Sequence, residues 1–144
     1  MGITNPAEQH FERGLWGFDG SVWRKLPMLW GYTDRYAEEK SNLSCTAGAN
    51  ILTFSTVPAG EVWRVTALTW VNVNTACVPI AVQLADGVNT WTVYVEAAGV
   101  ANVYASRLVD ITLKEGDCLR VAFYGCTLND DIFAWVLGYK MAVM

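Results

Sequence analysis

Between Thr56 and Asn74 the chain reads TVPAGEVWRVTALTWVNVN, and this stretch restricts the fold more than any other. Pro58-Ala59-Gly60 opens it with a turn, because proline presets φ and glycine accepts a positive φ without steric cost. The run that follows is rich in Val, Trp and Thr and carries neither a proline nor a helix cap. Side chains branched at Cβ or bearing rings suit a pleated, half-buried surface, so the run reads as a long strand. On one face stand Trp63, Val65, Ala67, Thr69, Val71 and Val73, which read as core. The other face holds Val62, Arg64, Thr66, Leu68, Trp70 and Asn72. That second face is too apolar for free solvent, which makes Leu68 and Trp70 candidate interface residues on an outward sheet face.

The β pattern continues to the end of the chain. Strands are expected at 49–55, 61–73, 78–85, 90–96, 101–106, 108–113, 117–124 and 132–142. Turn signals separate most of them, at Asp86-Gly87-Val88-Asn89, Ala98-Gly99, Lys114-Glu115-Gly116 and Asn129-Asp130-Asp131. Alternation is clean at 90–96, where Trp91, Val93 and Val95 oppose Thr90, Thr92 and Tyr94. It is clean again where Leu119, Val121 and Phe123 oppose Cys118, Arg120 and Ala122. In the last strand Phe133, Trp135, Leu137, Tyr139 and Met141 lie opposite Ile132, Ala134 and Val136. Eight short strands at this spacing imply an all-β, two-sheet antiparallel sandwich. Strand count favours an eight-stranded jelly roll over an immunoglobulin-like sandwich. The apolar run Met141-Ala142-Val143-Met144 is expected to be packed, against the chain's own arm or against another subunit.

The first part of the chain has a different character. Residues 1–40 carry 11 of the charged side chains and the other 104 residues only 13, so the organisation expected is an arm and linker over 1–47 and a sandwich over 48–144. Asp19-Gly20, set between Leu15, Trp16, Phe18 and Val22, Trp23, Leu26, is a short-range hairpin signal. Leu15-Trp16-Gly17-Phe18 is echoed by Leu29-Trp30-Gly31-Tyr32. A lone hairpin is marginal in water, so Trp16, Phe18, Trp23, Trp30 and Tyr32 are expected to lie on the sandwich edge or on a neighbouring subunit. Asp34–Lys40 (DRYAEEK) suggests about one helical turn and residues 41–48 a linker, so removing 1–40 should leave a folded sandwich. Seven Trp, six Tyr and five Phe with only 17% charged residues leave little to cover a solitary surface, which favours assembly into an oligomer.

Little in the sequence supports catalysis. Its single histidine, His10, precedes all of the ordered pattern, which disfavours a nucleophile–histidine relay and a histidine-rich cupin metal centre. Glu96 and Asp110 sit near strand ends and read as rim charges rather than a paired acid and base. Asn129-Asp130-Asp131 reads as a turn rather than a calcium loop. No glycine-rich phosphate loop is present. Net charge is −4 without clusters, which argues against nucleic acid. Neither a signal peptide nor an apolar run of ~18 residues is evident, so no membrane role and synthesis in the cytoplasm are expected. Cys45, Cys77, Cys118 and Cys126 lack CxxC spacing and read as buried thiols, with a Cys77–Cys126 disulfide as the alternative. The expectation is a protein that is not an enzyme and needs neither metal nor cofactor.

The segment Leu15-Trp16-Gly17-Phe18-Asp19-Gly20-Ser21-Val22-Trp23-Arg24-Lys25-Leu26, with Val57-Pro58-Ala59-Gly60-Glu61-Val62-Trp63 later, resembles small structural proteins of tailed bacteriophages. The likeness covers residues 14–26 and 56–74. It implies a virion component, either a capsid decoration (cement) protein or a tail or head-fibre piece. The partners implied are other virion proteins such as the major capsid protein, and further copies of the chain, with a trimer favoured. The alternative is a carbohydrate- or receptor-binding module of a tail or fibre, in which exposed Trp and Tyr stack on sugars.

Overall fold

The computed structural model describes residues 16–18, 23–25, 29–96 and 99–143, with side chains described from Asp34 to Ala142 within these. Strands β1 (Trp16–Phe18) and β2 (Trp23–Lys25) pair antiparallel as a hairpin, but with Phe18 opposite Trp23 four residues separate them, where a two-residue Asp19-Gly20 turn would set Phe18 opposite Ser21. Eight further strands follow: β3 (Leu29–Asn42), β4 (Gly48–Thr53), β5 (Glu61–Asn72), β6 (Ile80–Ala85), β7 (Thr90–Glu96), β8 (Ala105–Leu113), β9 (Cys118–Cys126) and β10 (Ile132–Val143). They form two four-stranded sheets, ordered β3-β10-β5-β8 and β4-β9-β6-β7.

The pairing has a simple logic. Along β3 to β10 each strand pairs with its mirror image: β3 with β10, β4 with β9, β5 with β8 and β6 with β7. The chain is one long antiparallel ribbon doubled back at the β6–β7 turn and rolled. Lateral pairing of β10 with β5 and of β9 with β6 closes the roll into two sheets. This is the jelly roll, not the immunoglobulin arrangement. At the tip of the ribbon Asp86 Oδ1 accepts from the backbone N–H groups of Val88 (2.9 Å) and Asn89 (2.6 Å), while Gly87 takes the left-handed φ of 87°.

The core lies between the sheets. It includes Leu119, Val121 and Phe123 of β9 and Ile132, Ala134 and Val136 of β10, all fully buried. Each large aliphatic or aromatic side chain there stabilises the fold by about 1.5–3 kcal/mol relative to exposure. The alternation expected for residues 117–123 is therefore the one observed.

Three expectations need correction. First, Leu68 and Trp70 do not face outward; each is only 1% exposed, inside the core. Residues Trp63 and Val65 point inward as expected, but β5 then carries a bulge. Against β10, Val65 faces Gly138 and Ala67 faces Leu137, so Thr66 is an extra residue in the ladder. One inserted residue reverses which side chains face the core, and Leu68, Trp70 and Asn72 turn inward from there on. Second, Asp34–Lys40 is not helical and 41–42 not linker: both belong to β3, an edge strand of the sandwich. Tyr36 of β3 is 2% exposed and its ring packs on Trp63 at 4.4 Å between centroids. Third, 101–106 and 108–113 are not two strands. Residues 105–113 form the single strand β8, and the eighth strand of the sandwich is β3.

Candidate functional site

An outward apolar surface does exist, one strand over from where the sequence suggests it. In β10 the inward places are taken by Ile132, Ala134 and Val136, which leaves Phe133, Trp135 and Leu137 on the outer face of the β3-β10-β5-β8 sheet. The register aligns Ala37, Leu137, Ala67 and Leu108 in one row across all four strands. Leu137 is 50% exposed and Leu108 is 91% exposed, each beside an irregularity in its ladder with β5. The adjoining row is Glu39, Trp135, Thr69 and Ser106.

Aromatic rings continue this surface. Phe133 and Trp135 stack at 5.8 Å with an interplanar angle of 8°, and Tyr104, 61% exposed, tilts against Trp135 at 5.8 Å. Such pairs add about 0.5–1.5 kcal/mol beyond area burial, so the rings hold each other in place before any partner arrives. The Trp135 indole N–H donates to Glu39 Oε2 at 2.8 Å, and the Thr69 and Ser106 hydroxyls share a hydrogen bond of 2.8 Å. Between these groups lies a shallow hollow of about 480 Å³, lined by Ala37, Glu39, Thr69, Tyr104, Trp135 and Leu137. The polar groups of the hollow are thus matched to one another, while the apolar ones face solvent.

Charge beside this face is neutralised within the chain. Arg64 donates two hydrogen bonds to Asp110, Nε to Oδ1 and Nη2 to Oδ2, each 2.7 Å. The Arg64 guanidinium holds the Asp110 carboxyl below the usual carboxylate range. Glu96 is likewise engaged, by Arg107, whose Nε also donates to the Tyr94 hydroxyl at 2.8 Å. Each of the two rim carboxylates is therefore paired with an arginine. Asp130 points inward rather than toward a cation in solvent, and it accepts from Asn72, Thr75 and the Thr127 backbone.

The other sheet presents a weaker counterpart. Ile51, Ala122, Ala81 and Val95 line up across β4-β9-β6-β7, but only Ile51 and Val95 are exposed, at 51% each. Of the residues singled out from the sequence, Trp16, Phe18 and Trp23 lie on β1 and β2, and Trp30 and Tyr32 on β3 opposite Ala142 and Met141. Their side chains lie outside the described residues. Tyr104, Leu108, Trp135 and Leu137 carry no motif; the signal available for two of them is that both alternating sets of the last strand are apolar.

No protein-family model matches the chain, and no curated protein matches it. Among solved structures it is similar to a chain in the structure of infectious bursal disease virus, Gx strain, at 12% identity and a TM-score of 0.40, covering 88% of this chain and 35% of that one. It is also similar to an exo-beta-1,3-galactanase from Phanerochaete chrysosporium solved with galactose, at 14% identity and a TM-score of 0.37, covering 81% of this chain and 30% of that one. This chain spans about a third of the length of either structure.

Proposed function

We propose that this chain is a structural virion protein: a capsid decoration or cement subunit that associates with copies of itself, with a trimer favoured, and docks on the major capsid protein. The observation that carries the reading is the outer face of the β3-β10-β5-β8 sheet, where Leu108 and Leu137 stand exposed beside the Phe133, Trp135 and Tyr104 rings. A contiguous apolar patch with preset aromatics on a hydrogen-bonded sheet is the usual make-up of an interface centre. The resemblance of residues 14–26 and 56–74 to phage structural proteins names the class of partner. On this reading the protein is no enzyme, carries no metal or cofactor, binds neither nucleic acid nor membrane, and resides in the virion.

The test replaces Leu108 and Leu137 together by Glu in the full chain. Circular dichroism and thermal unfolding should match the parent, because both side chains already face solvent. Sedimentation should show the assembly dissociating, and binding to capsid shells that lack the protein should fall at least tenfold. Unchanged association and shell binding would remove this face from the proposal. A second reading, a receptor- or glycan-binding module, draws on Tyr104 and Trp135 beside Glu39, Thr69 and Ser106, since rings next to polar groups suit a sugar. Loss of glycan-array signal on Tyr104→Ala, with shell binding intact, would favour it.

A further inference from the structure

Three of the four cysteines meet at one end of the sandwich, all buried. Cys77 precedes β6 and Cys126 ends β9. In the β6–β9 ladder Ile80 faces Phe123, and the pairing runs on through Val78 N–H to Tyr124 O (2.9 Å) and Tyr124 N–H to Pro79 O (3.0 Å). Both bonds fall on Tyr124, so the ladder slips by one residue here, and the two cysteines lie just beyond it on adjoining segments. The two sulfurs lie 2.9 Å apart. Non-bonded carbon atoms rest at roughly 3.5–4.0 Å, and sulfur is larger, so this is closer than two independent thiols settle.

A shared metal ion fits less well. One Asp130 oxygen, Cys77 Sγ and Cys126 Sγ do lie within 4.8 Å of one another. However, tetrahedral zinc with bonds of about 2.3 Å would hold two thiolates roughly 3.8 Å apart. Asp130 Oδ2 is moreover already occupied by donors from Asn72 (3.0 Å), Thr75 (2.5 Å) and the Thr127 backbone (2.7 Å).

We infer that Cys77 and Cys126 are a redox-active pair that closes to a disulfide when the chain meets an oxidising thiol–disulfide environment, tying the segment before β6 to the end of β9. Cys77 is 0% and Cys126 4% exposed, so an oxidant reaches them when this end of the roll opens locally. With glutathione disulfide as oxidant, the Cys77 thiolate attacks one glutathione sulfur, and the departing glutathione thiolate takes up the proton Cys77 gave up. Cys126 then loses its proton, attacks Cys77 Sγ and displaces the second glutathione. Two protein thiols are oxidised by two electrons, and one glutathione disulfide is reduced to two glutathiones. Burial, followed by the neighbouring Cys77, pushes the Cys126 thiol up, which makes closure faster at alkaline pH.

The reduced full chain is equilibrated with glutathione disulfide, alkylated and measured by intact mass and peptide mapping. The expected result is a chain lighter by two hydrogens, a single bridge joining the Cys77 and Cys126 peptides, alkylated Cys45 and Cys118, and a thermal midpoint raised by on the order of 10 °C. Four alkylated cysteines, or a bridge using Cys45, overturn the inference. So does equimolar zinc that shields the two thiols from alkylation and blocks closure. Cys77→Ser and Cys126→Ser should each abolish the bridge, and mapping of the unaltered chain decides the matter should either fail to fold.

Discussion

Gly138 shows how closely the backbone of this sandwich is fitted. A Cβ at that position would lie 2.0 Å from the Arg64 carbonyl oxygen and 2.9 Å from the Val65 Cα. Both obstacles are backbone, so no side chain can swing aside. The bulge at Thr66 brings the β5 backbone up against Gly138, and only a residue without a Cβ admits it. Gly138→Ala is accordingly expected to cost about 1–3 kcal/mol, as overpacking does, measured by denaturant unfolding. An equal stability for the two proteins would show the bulge to be adaptable. Asp130 supplies a second residue-scale test. Burial by itself would raise its carboxyl, but donors from Thr75, Asn72 and the Thr127 backbone outweigh it and hold the group below its ordinary value. The folded carboxyl thus titrates below the unfolded one at about 3.9, and between the two values the unfolded chain binds more protons. The contribution is whole above about pH 5 and is lost as pH falls through about 4 toward the folded value. Asp130→Asn should flatten that acid limb of a stability–pH curve and cost about 1–3 kcal/mol at neutral pH.

Individual strands explain what could be read from the sequence and what could not. Residues 117–124 were legible because alternation places Leu119, Val121 and Phe123 on the buried side. Residues 132–142 were legible as a strand, but with both alternating sets apolar the sequence did not say that Ile132, Ala134 and Val136 face the core. Residues 61–73 were legible as a strand but not in their facing, since alternation cannot register an inserted residue. The one hint of that bulge stands on the neighbouring strand, as a glycine inside WVLGYK. β3 was hidden for another reason. It is an edge strand, and edge strands carry charge that discourages further pairing, which makes DRYAEEK look helical. Its Glu38 faces the sandwich yet is satisfied, accepting from the Ser55 backbone N–H at 3.0 Å and pairing with Lys40 at 2.9 Å. Removal of residues 1–28 should therefore leave a chain that unfolds cooperatively. Removal of 1–42 should not, because it strips the ladder from β10 and the Tyr36 ring from Trp63. A cooperative melt from the shorter chain would show β3 to be dispensable.

At the scale of the molecule, the outer face of the β3-β10-β5-β8 sheet and the end where the cysteines meet are independent devices, one for meeting neighbours and one for holding the roll shut. A lasting interface buries more than roughly 1,000 Å² in total, which the exposed rows of this sheet could supply only with help from elements beside them. Solution mass at increasing protein concentration is therefore expected to rise toward the assembly, and the rise should vanish in the Leu108→Glu, Leu137→Glu protein. The doubled-back pairing has a further effect, on timing. β6 and β7 are separated by four residues, whereas β3 must wait for β10, whose residues are made about a hundred positions later. On the ribosome the ribbon can zip outward from its tip, but the outermost ladder has no second strand until β10 leaves the exit tunnel. For most of its synthesis the nascent chain thus carries β3 unmated, a window in which neighbouring nascent copies can exchange that strand or a chaperone must shield it.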